Sequence, residues 1–392
     1  MISVDDALDK ILGGVNALPS ETVGLSACVG RVAASDVVAR ITQPPFAASA
    51  MDGYAVRFAD MAIGAALAVI GEAPAGAPFD GSVGAGEAVR IFTGGVIPPG
   101  ADHILIQEDA AADGASITVT AEQSAPRHVR SAGVDFLEGD RLASAGARLH
   151  AIHGSIFAAA NIGAVDVVRR PVVALFANGN ELKDPGEKLS AGEIINSNHY
   201  ALSAMIEAWG GVPEYFGCAP DDPDAVVAMF NNARRADIIV PIGGASVGDH
   251  DYVKSAFDAA GGALVFSKIA VRPGKPTWFG GLDGAFVLGL PGNPASAIVT
   301  AALFLQPLVR RLGGRDGDRV FLAATLAARI NANGPREHYM RATMTEAGAV
   351  EPAPNQDSSL LSPFASADVL IRRQPQAPAA EIGDKVEIVA LR

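Results

Sequence analysis

The chain is 392 residues long and 49% apolar, enough for a full-sized core and, by length, about two to four domains. Its formal net charge of -13 excludes nonspecific binding to nucleic acid or to an anionic membrane surface. An anion bound by so acidic a protein must meet local Lys or Arg, backbone N–H groups or a metal ion.

Cys28 and Cys218 are far apart and belong to no Cys-x-x-Cys pair. Neither a disulfide framework nor a structural zinc site is expected, and a reducing compartment is favoured. The opening residues, MISVDDALDKIL, lack the basic and apolar regions of a secretory signal. No run reads as a membrane span. The expectation is a soluble cytoplasmic protein with no nucleic-acid or membrane partner.

Ser3 precedes an amphipathic helix with Val4, Ala7, Leu8, Ile11 and Leu12 as its apolar positions. Asp5 and Asp6 fall in the first turn, where the helix dipole favours them. Leu25 to Val38 reads as a strand and turn, then a short helix. Residues 41–137 are rich in Gly, Ala and Pro, with short strands such as Leu67 to Ile70, Ala88 to Phe92 and His103 to Gln107. This predicts a β-rich domain. Residues 138–170 return to helical spacing, with Ile152, Ile156, Phe157 and Ala160 on one face. With residues 1–40 they form a helical and extended N-terminal, linking domain.

From Pro171 strands alternate with helices. Val172 to Phe176, Ile238 to Val240 and Phe286 to Gly289 read as strands. Asn196 to Trp209, Val226 to Ala233, a segment from Asp251, and Pro294 to Leu308 read as helices. The fold class is therefore α/β multidomain, with a central doubly wound, mostly parallel sheet over 171–313. Residues 314–392 revert to short β segments at Phe321 to Ala324, His338 to Ala342, Val369 to Ile371 and Val386 to Val389. They predict a small C-terminal β domain.

The stretch from Ala236 to Phe257, ADIIVPIGGASVGDHDYVKSAF, carries the chemistry. A β-branched strand breaks into Gly243-Gly244 and Gly248, and a helix follows. Glycines admit close backbone approach to a phosphate, and a helix start adds positive partial charge. Asp249 and Asp251 suit a metal ion or a capping role. The stretch is neither G-x-G-x-x-G nor a P-loop. Gly274-Lys275 with Thr277 is no P-loop end either, because position 269 is Ile269 and Pro276 follows.

Four further stretches join it: SAMDGYAVR from Ser49 to Arg57; Phe92-Thr93-Gly94-Gly95 with the Pro98 to Asp102 turn; IINSN from Ile194 to Asn198; and VRPGKP from Val271 to Pro276, with LPGNP from Leu290 to Pro294 beyond. In this order and spacing they resemble the molybdopterin molybdenumtransferase family, MoeA and the gephyrin E domain, over nearly the whole chain. The resemblance implies a MogA-like central domain. It also implies molybdenum cofactor biosynthesis: molybdate enters adenylylated molybdopterin and AMP leaves, with Mg²⁺ assisting. It further implies a homodimer with its site between subunits, and molybdopterin adenylyltransferase and molybdoenzymes as partners.

Carried onto this sequence, Asp52, Glu181, Asp249 and Asp251 are the expected Mg²⁺ carboxylates. Arg272 and Lys275 face molybdate or the terminal phosphate, and with Asp52, Glu181 and Asp249 they are the expected catalytic residues. Gly243, Gly244, Ser246 and Gly248 cradle the pterin phosphate. Thr93, Asp135, Pro291 and Pro294 complete the cofactor-binding set. Plainer readings stay open. Asp52 fits an Asp-Gly turn, and Arg272 and Lys275 fit a solvated pair. Pro291, Gly292 and Pro294 fit a helix-starting turn, and Asn196 and Asn198 fit helix caps. His150 and His153 share a helix face without a third metal ligand.

Two stretches depart from the family pattern. Asn178-Gly179-Asn180-Glu181 stands for the usual Thr-Gly-Asp-Glu, and Pro241-Ile242 precedes the glycine pair where Thr or Ser is common. These changes support an alternative, a non-catalytic protein that binds molybdopterin or its cofactor, or acts as a scaffold.

Overall fold

The computed structural model describes residues 1–244, 252–317 and 321–391. They form two compact units. One comprises Met1–Glu21, Gly30–Val32 and Val167–Arg392, the other Thr22–Val29 and Ala33–Asp166.

The chain opens with α1 (Val4–Leu12), which belongs to the first unit. Ser3 Oγ accepts from Asp6 N at 3.0 Å and caps it. Val4, Ala7 and Ile11 are buried.

The second unit is built on a six-stranded sheet. Its strands are β1 (Gly53–Val56), β2 (Ala66–Ala73), β3 (Glu87–Ile91), β4 (His103–Ile106), β5 (Ala110–Asp113) and β6 (Ser116–Val119). Their order is β4-β1-β3-β2-β6-β5. Adjacent residues point to opposite faces of a strand. Ala55, Val89 and Ile104 accordingly enter one cluster, and Val56, Ala88 and Leu105 the other. Both faces are thus covered. A Cβ on Gly53 would lie 2.2 Å from the Leu105 carbonyl oxygen, so only glycine lets β1 approach β4 this closely.

Leu25 to Val38 contains a 3₁₀ turn, Leu25–Ala27, and the strand Val37–Val38, but not the expected short helix. α2 (Ala151–Ala159) buries Phe157 but leaves Ile152 60% exposed, so Ile152 leaves the expected apolar stripe. His150 N donates to His153 Nδ1 at 3.1 Å. The histidine pair serves the helix start, and that ring nitrogen is engaged.

The first unit carries the second six-stranded sheet. Its elements are β7 (Val172–Asn178), α3 (Asn198–Trp209), β8 (Val212–Ala219), α4 (Pro223–Asn232), β9 (Ile238–Ile242), α5 (Tyr252–Ala259), β10 (Ala263–Phe266), β12 (Trp278–Leu282) and β13 (Ala285–Gly289), with β11 (Val271–Arg272) pairing elsewhere. The order is β8-β7-β9-β13-β12-β10. β8, β7, β9 and β13 run parallel, β12 runs antiparallel to β13, and β10 runs antiparallel to β12. The antiparallel pair escaped the sequence reading because β12 contains Gly280-Gly281, which reads as a turn. These glycines make room. A Cβ on Gly280 would lie 2.5 Å from the Ala263 carbonyl oxygen, and one on Gly289 would lie 1.9 Å from Trp278 Nε1.

Val173 and Leu175 of β7 pack with α1, α3 and the helix Pro294–Leu312 on one face. Ala174 and Phe176 pack with α4 and α5 on the other. The sheet is therefore doubly wound. The helix α6 (Pro294–Leu312) is, by length and composition, long enough to cross a membrane, contrary to the sequence reading; 83% of its apolar window is buried in this core. A π-helical turn, Ala301–Leu305, interrupts it.

The C-terminal strands are β14 (Leu322–Leu326), β15 (Glu337–Met344), β16 (Ala349–Pro352), β17 (Val369–Arg373) and β18 (Lys385–Ala390). Their sheet runs β11-β15-β16-β14-β18-β17, and β15 also pairs β17, which closes it into a barrel. β11 adds in parallel to β15, setting Arg272 beside His338.

Candidate active site

A cleft of about 930 Å³ opens at the carboxyl ends of the parallel strands, the usual ligand position in doubly wound sheets. Asn178 ends β7, Ile242 ends β9, and both line it. Glu181, Gly243, Gly244, Pro291 and Pro294 also line it, so the structure brings these expected residues together. Ser246, Gly248, Asp249 and Asp251 lie outside the described residues.

The glycine turn is sterically required. Gly244 has φ of 64°, and a Cβ there would lie 2.2 Å from Val253 Cγ2 and 2.8 Å from Asn178 Oδ1. Gly243 N donates to the Leu290 carbonyl at 3.0 Å, tying the β9 and β13 ends.

The departures from the family pattern have structural partners. Asn178 is 5% exposed, and its Nδ2 donates to the Pro220 carbonyl at 3.0 Å. It braces β7 against the turn after β8. Asn180 N donates to Asp221 Oδ2 at 3.2 Å, and Asp221 N donates to Asn180 Oδ1 at 3.2 Å. Asp221 is thus a cleft-lining carboxylate that the sequence reading missed. Its signal was an acid after the end of a parallel strand. That signal was masked because Asp222-Pro223 reads as a helix start, and Asp222 Oδ2 does cap α4, accepting from Ala225 N at 2.9 Å. Beside this rim, Cys218 is pushed up to about 11 by partial burial and by the negative charges of Glu181, Asp184 and Asp221.

Asn196 and Asn198 do not cap α3, as the sequence suggested. Ser197 is the N-cap residue and makes no side-chain cap bond. Asn196 Nδ2 donates to Tyr215 Oη at 2.6 Å, and Asn198 Nδ2 to the Gly292 carbonyl at 2.7 Å. Burial pushes Tyr215 up to about 12. The Asn198 bond fixes the Pro291-Gly292 turn against α3. Pro294 occupies the first turn of α6 behind Asn293, whose Nδ2 donates to Ser358 Oγ at 3.0 Å. Ser359 then lines the cleft.

Arg272 and Lys275 are exposed and do not line the cleft, whereas Pro276 in the same loop does. Burial, then Arg272, Arg341, Arg336 and Arg373, push His338 down to about 4. Arg272 therefore belongs to a positive patch. Among the described residues, no Lys or Arg lines the cleft.

Asp52 and Thr93 lie in the second unit, at the start of β1 and just beyond β3. Asp52 Oδ1 accepts from Thr93 N at 2.7 Å and from Thr93 Oγ1 at 2.9 Å. These bonds, the backbone one foremost, hold the Asp52 carboxyl below the ordinary range. Asp135 lines a separate cleft of about 440 Å³ with Phe136, Asp140 and Arg141; neither Asp52 nor Thr93 lines it.

Three regions match known families. Residues 2–163 match the MoeA N-terminal region (domain I and II), 176–311 a probable molybdopterin binding domain, and 323–391 the MoeA C-terminal region (domain IV). A molybdopterin molybdenumtransferase of Nostoc sp. is 36% identical over 87% of this chain and 81% of its own length. The chain belongs to the molybdopterin molybdenumtransferase family. Another such transferase, from Staphylococcus aureus, is 30% identical over 99% of this chain and 95% of its own. The crystal structure of a MoeA molybdopterin biosynthesis protein from Pyrococcus horikoshii superposes with a TM-score of 0.87 at 30% identity, covering 100% of this chain and 99% of that one. The family places the chain among the transferases of molybdenum cofactor biosynthesis.

No group of three or more His, Cys, Asp or Glu is gathered for a metal among the described residues. Glu181 and Asp221 are nevertheless hard oxygen donors on one rim. Mg²⁺ is commonly held by one or two carboxylates plus substrate phosphates, so the donor set fits.

Proposed function

We propose that this transferase inserts molybdate into adenylylated molybdopterin and releases AMP, with Mg²⁺ assisting. The carrying observation is that Glu181 and Asp221 both line the cleft at the strand ends, where, among the described residues, no Lys or Arg joins them. A cation between this rim and a phosphoanhydride relieves the repulsion between their negative charges. Bound there, Mg²⁺ supplies charge neutralisation at the phosphates. Glu181 and Asp221 are the described residues we assign to hold it, with Asp249 and Asp251 as the further carboxylates the family resemblance implies. The amides of Asn180 and Asn196 and the backbone of Gly243 and Gly244 offer hydrogen bonds suited to a heterocycle and its phosphate. Arg272 and Lys275 are assigned to molybdate or the terminal phosphate. Asp52, with Thr93, is assigned to the same reaction as a carboxylate facing cation or phosphate.

Release of AMP from adenylylated molybdopterin, with and without molybdate and Mg²⁺, tests the reading. Binding without AMP release at saturating Mg²⁺ and molybdate would refute it. That outcome would favour the second reading, a non-catalytic cofactor-binding or scaffold protein. The observation behind that reading is Asn180, which offers an amide where the family usually has a carboxylate. The proposed protein works as a cytoplasmic homodimer, with molybdopterin adenylyltransferase and molybdoenzymes as its partners. Light scattering gives the mass that checks the dimer.

A further inference from the structure

We propose that Arg90 is a positioning residue that holds the Asp52 carboxylate in working geometry. The inference rests on the reading that Asp52 serves the transferase reaction. Arg90 lies on β3, directly opposite Tyr54 of β1. Its guanidinium sits between two rings, with Cζ 5.0 Å from the Tyr54 centroid and 4.9 Å from the Phe92 centroid. Its Nη1 donates to the Gly53 carbonyl at 2.9 Å, and its Nη2 to Gln107 Oε1 at 3.0 Å.

Three of these partners, Gly53, Gln107 and Phe92, are each linked to Asp52 by a chain neighbour or a hydrogen bond. Gly53 follows it in the chain. Gln107 N donates to the Asp52 carbonyl at 3.2 Å. Phe92 immediately precedes Thr93, which gives Asp52 Oδ1 its two hydrogen bonds. Among the described residues, those two bonds fall on one oxygen, which leaves Oδ2 for a ligand or cation. One planar, five-donor group therefore ties β1, the end of β3 and the residue after β4 around a single carboxylate. Lysine keeps the charge but lacks the fork and the flat face that stack and bridge at once. The charged groups around the clamp are Glu72, paired with Arg90 in register from β2, and Glu108, which accepts from Gln107 Nε2 at 3.4 Å.

The test compares Arg90→Gln, Arg90→Lys, Asp52→Asn and the double variant Arg90→Gln/Asp52→Asn. AMP release gives kcat and KM, calorimetry gives Tm, and ¹³C NMR gives the titration of the Asp52 carboxyl. We expect Arg90→Gln to lower kcat about tenfold with little change in KM, and Arg90→Lys to recover part of it. In the Asp52→Asn protein, Arg90→Gln should add less than about twofold. The Asp52 titration should move upward in Arg90→Gln, a readout that does not need turnover. Equal losses in both backgrounds, or losses that merely follow Tm, would overturn the positioning role. Full turnover by Asp52→Asn would instead overturn the reading of Asp52, and the inference with it. Should Arg90→Gln fail to fold, the same cycle with Arg90→Lys decides.

Discussion

The carboxylates of this protein are held in two different ways. Glu181 and Asp221 stand on the rim of a cleft shaped by backbone: glycines at positive φ, proline turns and crossed amide bonds to Asn180. Asp52 stands at a strand start and is shaped by side chains, with Thr93 on its oxygen and Arg90 beneath its neighbours. Negative charge on the rim goes unanswered by any lining Lys or Arg among the described residues, whereas Asp52 has a guanidinium nearby. The first arrangement is the one to which we assign Mg²⁺. In the second, hydrogen bonds from Thr93, with the Arg90 guanidinium nearby, hold the carboxyl below its ordinary range.

The largest expected break in that contrast is Glu181→Ala. Removing a rim carboxylate should lower AMP release by about 100-fold or more. Its exposed side chain leaves Tm nearly unchanged. Turnover within a few-fold of the unmutated protein would sink the rim assignment. Next comes Gly244→Ala, which attacks the backbone that shapes the cleft. The strained φ and the clash with Val253 should cost about 2 kcal/mol, read as a lower midpoint in urea. An unchanged midpoint would show that the turn can relax.

Asn180→Asp sharpens the contrast from the other side by adding charge to the rim. It should lower the Mg²⁺ concentration for half-maximal AMP release, by on the order of 1 to 2 kcal/mol of cation affinity. Asp221→Asn should raise that concentration. If both variants titrate as the unmutated protein does, the cation is bound elsewhere.

The smallest effect is expected from Thr93→Val, which removes one of the two donors to Asp52 Oδ1. Asp52 should then titrate higher, nearer its ordinary range. A carboxyl held low in the folded state stabilises the protein above its unfolded pKa, and that gain is lost as pH falls through the folded pKa. The variant should therefore melt slightly lower at neutral pH, and the gap should close in acid. A gap that persists at low pH would point to lost packing instead.

Much of this was readable in advance, for identifiable reasons. β-branched runs that end in Gly243-Gly244, Pro at the start of α6 and an acid-rich first turn in α1 are local signals, and local signals survive into the fold. What stayed hidden was set by contacts across the chain. Gly280 looks like a turn residue until the Phe257 ring and the Ala263 carbonyl beside it are seen. Asn196 and Asn198 look like caps until Tyr215 and the Gly292 carbonyl claim their amides. Asp221 was overlooked beside the stronger cap signal of Asp222. Arg90 carried no local signal, because a ring on β1, a ring just past β3 and Gln107 converge on it only in the folded sheet.

The packing of Trp278 against Gly289 has a practical side. The chain has two tryptophans, Trp209 at 5% and Trp278 at 0% exposure, and both belong to the unit that carries the doubly wound sheet. Tryptophan emission from the folded protein should be blue and poorly quenched by iodide, and its shift on heating follows that unit alone. The β-rich unit melts without a tryptophan signal of its own. The Arg90 clamp lies in the unit without tryptophan, which makes calorimetry or circular dichroism the more direct instrument for that half of the molecule.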